Sequence, residues 1–72
     1  MNEFRPFSMK KSELALRYFP HSASLVATNR LMRWIHGCHP LMKELEGTGY
    51  HRFQKYLTSR QVSLIVAHLG LP

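Results

Sequence analysis

Residues 27–37 constrain the fold most, because as one helix they carry an apolar stripe and a basic stripe on opposite sides. The apolar stripe recurs at helical spacing and consists of Ala27, Leu31, Trp34, Ile35 and Cys38. The opposite side carries Asn29, Arg30, Arg33 and His36. We expect the apolar side, including Trp34, to lie on a small core. The outward Asn and Arg side chains suit base edges and phosphates of nucleic acid, although solvated surface helices share this pattern.

Length and charge narrow the class of protein. With 72 residues the chain is expected to form one domain with a small core. We assign residues 1–72 to that domain and residues 1–7 to an N-terminal arm. Ten Lys and Arg residues against four Asp and Glu give a formal net charge of +6, which favours a polyanionic partner.

Cysteine content and hydropathy indicate the compartment. The single cysteine, Cys38, excludes an internal disulfide and fits a reducing environment. The sequence contains no apolar run of signal-peptide or membrane-spanning length. We therefore expect a cytoplasmic protein that does not associate with membranes.

Helix-capping and helix-breaking residues predict the first two of four helices. The first helix is expected to begin after Ser8 as its N-cap and to end near Phe19, because Pro20 prevents continuation. The second helix is expected to be capped by Ser24. It should end at Gly37, a residue suited to the left-handed position that follows a helix.

The other two helices are predicted from the same signals. Pro40 in the first turn and Gly47 at the end delimit a short third helix. Its buried residues are expected to be Leu41 and Leu45. Thr58 and Gln61 have the spacing of a capping box at the start of the last helix, which Gly70 ends. The inner face of that helix comprises Val62, Ile65, Val66 and Leu69.

Residues 50–56 mix aromatic and basic side chains without helical spacing, which favours an extended strand or a small β-ribbon. The predicted fold is therefore mainly α, a small helix-turn-helix domain of about four helices with a short β-ribbon as its wing. The predicted core consists of Leu14, Tyr18, Leu31, Trp34, Ile35, Leu45, Val62, Ile65 and Leu69.

Several motifs resemble those of DNA-binding proteins. Residues 11–15 (K-S-E-L-A) followed by residues 33–35 (R-W-I) resemble the pattern of excisionase-like and MerR-like winged helix-turn-helix proteins. Residues 49–53 are similar to the G-Y-R-x-Y wing of the MerR-like group. This resemblance implies double-stranded DNA as partner. The long dimerisation helix of MerR-like regulators is absent, so an excisionase-like accessory or regulatory factor is the better analogy.

A second resemblance covers most of the chain. Its pattern is K-x-E-L-A-x-x-Y-F-P, R-W-I, L-x-x-x-L-x-x-x-G-Y and T-x-x-Q-V-x-x-I-V-x-x-L-G-x-P, carried here by residues 11–20, 33–35, 41–50 and 58–72. The chain is similar in this pattern to an uncharacterised domain-of-unknown-function family of small proteins from gut bacteria. That family supplies no activity.

The candidate nucleic-acid-binding residues are Asn29, Arg30, Arg33, His36, His51, Arg52 and Lys55. We expect Asn29 to read an adenine edge and Arg30 to contact a phosphate. By resemblance, Arg33 matches the arginine of the recognition helix. The alternative for Arg33 is a surface ion pair with Glu44 or Glu46.

The candidate wing contributes phosphate contacts. Arg52 and Lys55 are expected to clamp the DNA backbone, with Tyr50 and Tyr56 between them and the core. His51 stands where the resembling wings have arginine, so its contact with phosphate depends on protonation. The alternative is a solvated ribbon whose aromatic side chains cover the core.

Catalytic and metal chemistry have little support in the sequence. His36, Cys38 and His39 lie close together, but they crowd one helix end and lack C-x-x-C spacing. Glu44 and Glu46 point to different sides of a short helix and form no acid–base pair. We expect no metal, no cofactor and no enzymatic activity.

A protein-interaction module is the alternative to DNA binding. The last helix carries a second apolar line, expected to point away from the core, that could support a homodimer or another protein partner. This line consists of Leu64, Ala67 and Leu71, with Leu16 on the first helix.

Overall fold

The computed structural model describes residues 7–72, and over that range it forms four helices and one small sheet. The expected N-terminal arm lies outside the described residues except for Phe7, which is exposed. The small, mainly α fold with a short β-ribbon is confirmed. In chain order the elements are β1 (Met9–Lys10), α1 (Lys11–Tyr18), α2 (Ser24–Gly37), α3 (His39–Glu46), β2 (Tyr56–Leu57) and α4 (Ser59–Leu69).

Helix α1 begins later than the sequence predicts. Ser8 is not its N-cap, because Met9 and Lys10 are extended and pair with β2. The carboxylate of Glu13 instead accepts a hydrogen bond from the amide of Lys10 at 3.2 Å. This bond satisfies one of the amides that a helix start leaves without a partner.

Helix α2 differs from the prediction at both ends. Ser24 is its first residue rather than its cap, and Ala23 occupies the cap position. Gly37 belongs to the helix and is not left-handed, since Gly49 and Gly70 are the residues with positive φ within the described range. The extended backbone of Cys38, with φ of −101°, ends α2 and precedes α3 directly. The expected Pro40 in the first turn of α3 is confirmed.

The sheet joins two distant parts of the chain. β1 and β2 are antiparallel, with Met9 opposite Leu57 and Lys10 opposite Tyr56. The aromatic and basic residues 50–55, predicted as part of a ribbon, form a loop that leads into β2. The sequence places the strand only approximately, because its partner lies near the other end of the chain.

Helix α4 starts with the predicted capping box. The Thr58 hydroxyl accepts from the amide of Gln61 at 3.2 Å, and the side-chain oxygen of Gln61 accepts from the amide of Thr58 at 3.0 Å. Gly70 ends the helix with a φ of 90°, a conformation that a side chain would strain.

The core is one apolar cluster to which all four helices and both strands contribute. Its buried members are Met9, Leu14, Ala15, Ala27, Leu31, Ile35, Leu41, Leu45, Leu57, Val62 and Ile65. Of the predicted core residues, Tyr18 and Leu69 are only partly buried against this cluster.

Trp34 was wrongly predicted as a core residue. Ala27, Leu31 and Ile35 recur every four residues and fill the buried line of α2, so Trp34 falls beside that line and is 48% exposed. Its ring makes edge-on contacts with Tyr18 and Phe19, at centroid distances of 6.1 and 4.9 Å. Trp34 therefore covers the margin of the α1–α2 contact.

Candidate nucleic-acid interface

The outer face of α2 brings three of the candidate residues to the surface together. Asn29, Arg30 and Arg33 are all exposed, because the buried line of the helix lies on its other side. Asn29 and Arg33 are four residues apart and therefore lie one above the other on this face. We call Asn29, Arg30 and Arg33 the α2 face.

The expected alternative for Arg33 is not found among residues 7–72. No described carboxylate forms an ion pair with Arg30 or Arg33. Glu44 contacts the ring of His68 on α4 instead. The guanidinium of Arg30 lies 5.7 Å from the centroid of the Phe19 ring, a cation–π distance. The two arginines are thus free of neutralising acidic neighbours within the described chain.

His36 connects the α2 face with the loop that precedes β2. It is half-buried and lines a shallow cleft of about 340 Å³ together with Met42 and Arg52. Burial lowers the pKa of His36 below its ordinary value, and the positive charges of Arg52 and Lys11 lower it further. His36 is therefore neutral at neutral pH, and any contact with a phosphate there would be made by a neutral ring.

The other three candidates lie in the loop. His51, Arg52 and Lys55 are exposed. The Nδ1 atom of His51 accepts a hydrogen bond from the amide of Phe53 at 3.1 Å, so this nitrogen is engaged inside the loop. The guanidinium of Arg52 lies 5.3 Å from the Phe53 ring centroid. The loop thus presents two cations beside an exposed aromatic ring.

Gln61 holds this loop in place through hydrogen bonds of its side chain. It is 2% exposed, and its side-chain oxygen accepts from the side-chain nitrogen Nε2 of Gln54 at 2.8 Å in addition to its capping bond. Its own amide nitrogen donates to the Thr48 hydroxyl at 3.1 Å. Gln54 in turn accepts from the amide of His51 at 2.8 Å. The sequence predicts only the capping role of Gln61.

Lys11 also anchors the loop, although it is not among the candidate residues that the sequence predicts. It is 7% exposed, and its ammonium group donates to the carbonyl of Arg52 at 2.6 Å. The same ammonium lies 5.4 Å from the Tyr50 ring centroid, and the Lys11 amide donates to the carbonyl of Lys55 at 2.9 Å. Burial lowers the pKa of Lys11, and Arg52 lowers it further. No sequence signal distinguishes this lysine from a solvated one at a helix start.

A larger cleft lies where β1, α1, α2 and the loop meet. Its volume is about 590 Å³. Four cationic side chains and two exposed aromatic rings contribute to its wall, and no carboxylate of the described residues does. These residues, which we call the basic–aromatic cleft, are Lys10, Lys11, Arg52, Phe53, Lys55 and Tyr56.

The second apolar line of α4 is only partly exposed. Leu64 packs against the core, contrary to its expected outward position, whereas Ala67 and Leu71 are exposed. Leu16 also packs against the core. The apolar surface available for a protein partner at this end of the molecule is therefore smaller than the sequence suggested.

Within residues 7–72, no group of three or more His, Cys, Asp or Glu side chains is placed to hold a metal ion. None of the helices in that range has the length and apolar character needed to cross a membrane.

Comparison with known proteins identifies the family. A model described as Domain of unknown function (DUF4248) matches residues 7–72, so the chain belongs to that family. No curated protein and no solved structure matches the chain.

Proposed function

We propose that this protein binds double-stranded DNA, with α2 as the recognition helix in the major groove and the loop before β2 on the phosphate backbone. The observation that carries the proposal is the exposed α2 face, whose arginines form no ion pair within residues 7–72 and which continues through His36 to Arg52 of the loop. This winged helix-turn-helix arrangement would make the protein an accessory or regulatory factor.

The side chains of the α2 face suit two different kinds of DNA contact, one with base edges and one with phosphates. Asn29 and Arg33 carry the amide and guanidinium groups that pair with adenine and guanine edges in the major groove. Arg30 lies nearer the aromatic margin formed by Phe19 and Trp34, where it can contact a phosphate. Phosphate contacts orient a protein on DNA, whereas base-edge contacts provide sequence preference.

The loop supports the proposal through its anchoring. Arg52 and Lys55 carry exposed side chains on a backbone that Lys11 holds by two hydrogen bonds. Cations on an ordered loop lose less conformational freedom on binding than cations on a mobile one. The neutral His36 beside them would add a hydrogen bond rather than a charge.

The test is duplex DNA binding measured by fluorescence anisotropy over a series of salt concentrations. Arg52→Ala and Lys55→Ala should each weaken binding to all duplexes similarly and lower the magnitude of the log–log salt slope by about 1. Arg33→Ala should cost about 1–3 kcal/mol on a duplex selected from a random pool and much less on unselected DNA.

Lys43→Ala is the matched control, because Lys43 is an exposed cation on α3 that lies outside both clefts. It should leave binding nearly unchanged. Equal small losses for Arg33→Ala, Arg52→Ala and Lys43→Ala, with binding lost near physiological salt, would show general charge attraction and refute the proposal. A stable dimer of the DNA-free protein that requires Leu71 would favour the protein-interaction alternative.

A further inference from the structure

The basic–aromatic cleft has the size of a ligand site. Its volume of about 590 Å³ lies within the range of small-molecule sites, roughly 300–1,000 Å³. It is formed by residues distant in sequence, since Lys10 and Lys11 come from β1 and α1 while Phe53 and Tyr56 come from the loop and β2. The cleft is therefore formed by segments that lie far apart in the sequence.

The charge of the cleft favours an anion. Lys11 is buried, yet within residues 7–72 its ammonium faces a carbonyl oxygen and an aromatic ring rather than a carboxylate. Burying a charge without an opposite charge is costly. Arg52 adds a second positive charge nearby, and the lowered pKa of Lys11 reflects both burial and that repulsion. An anion in the cleft would relieve both effects.

The aromatic side chains favour a flat ring beside that anion. Tyr56 is 62% exposed and Phe53 is 75% exposed. The ammonium of Lys10, the cross-strand neighbour of Tyr56, lies 5.8 Å from the Tyr56 ring centroid. Cationic grooves with exposed aromatic rings are typical of proteins that bind single-stranded nucleic acid, where bases stack on the rings.

We propose that the basic–aromatic cleft binds an unpaired nucleotide, with its phosphate among the lysine and arginine side chains and its base against Tyr56 or Phe53. This goes beyond duplex recognition, which uses the α2 face, although the proposed duplex contact also includes Arg52 and Lys55 of the cleft wall. The nucleotide can come from a single strand of nucleic acid or from solution, and both sources share the same chemistry.

The experiment measures binding of a fluorescent oligothymidylate and of duplex DNA to the same set of variants. Tyr56→Ala should weaken oligothymidylate binding about 5- to 100-fold, the effect expected for losing one stacked base. Tyr56→Phe retains the ring and should bind like the natural chain. Lys43→Ala is the charge control, and circular dichroism checks that each variant is folded.

Competition by thymidine monophosphate and by inorganic phosphate shows whether the bound nucleotide belongs to a strand or comes from solution. Competition by the mononucleotide supports a nucleotide from solution, and its failure while oligothymidylate binds supports a nucleotide within a strand. Phosphate competing as well as the mononucleotide, or folded Tyr56→Ala binding oligothymidylate normally, would overturn the inference. Arg33→Ala separates the two proposals, because it should weaken duplex binding and leave oligothymidylate binding unchanged.

Discussion

The α2 face and the loop before β2 both present cations to solvent, but different interactions hold them in place. The α2 face follows from local helical geometry, because burying Leu31 and Ile35 turns Asn29 and Arg33 outward. The loop depends on contacts with other elements, chiefly with Gln61 of α4 and Lys11 of α1. The α2 face should therefore survive any change that preserves the helix, whereas the loop can be released separately.

The largest expected effect comes from removing the support of α2. Leu31→Ala should lower the free energy of unfolding by about 2–5 kcal/mol, since Leu31 is fully buried. Trp34→Ala should cost only about 1–2 kcal/mol, because Trp34 is half-exposed and makes edge-on aromatic contacts with Tyr18 and Phe19. Chemical denaturation measures both. A loss for Trp34→Ala as large as that for Leu31→Ala would make Trp34 a core residue after all.

The second largest effect should come from removing the hydrogen bonds that hold the loop while leaving α2 intact. Gln61→Met preserves bulk but removes the partners of the Thr58 amide, the Gln54 side chain and the Thr48 hydroxyl. We expect a loss of about 1–3 kcal/mol in the free energy of unfolding.

Hydrogen exchange locates that loss. In Gln61→Met the amides of residues 50–55 should exchange faster, while those of α2 change little beyond the global shift in stability. Gln54→Ala, which removes only the outer part of the network, should give a smaller effect confined to the loop. Uniformly faster exchange throughout the chain would contradict an independently anchored loop.

The smallest expected effect is a pH dependence of stability that comes from His36, which lies between the α2 face and the loop. Folding lowers the pKa of His36 below its ordinary value of 6.5, so the unfolded chain binds a proton more readily as the pH falls below that value. Stability should therefore decrease on acidification from about pH 7.5 to pH 5.5. His36→Gln should lose less stability over that interval than the natural chain. An equal or larger loss would show that His36 does not contribute to the pH dependence.

Helix boundaries and the core were predictable where the signals are local. The capping box of Thr58 and Gln61 and the Pro40 start of α3 depend only on neighbouring residues. The burial of Leu41 and Leu45 follows from helical spacing in the same way.

The remaining features arise from tertiary contacts. Trp34 lies at the edge of its apolar stripe, where periodicity alone cannot tell burial from exposure. The ends of α1 and of the ribbon depend on β1 pairing with β2. Lys11 and Gln61 acquire their roles from residues 41 and 7 positions away, respectively. The exposure of Asn29, Arg30 and Arg33 was predictable from helical spacing, but the cleft between the loop and β1 was not.

The most direct test of the DNA-binding account is a nuclear magnetic resonance titration of the isotope-labelled protein with a short duplex. If α2 is the recognition helix, the largest chemical-shift changes should fall on the α2 face, followed by Arg52 and Lys55, with little change along the exposed side of α4 near Ala67. Changes concentrated at Ala67 and Leu71, with the α2 face unaffected, would contradict this role of α2.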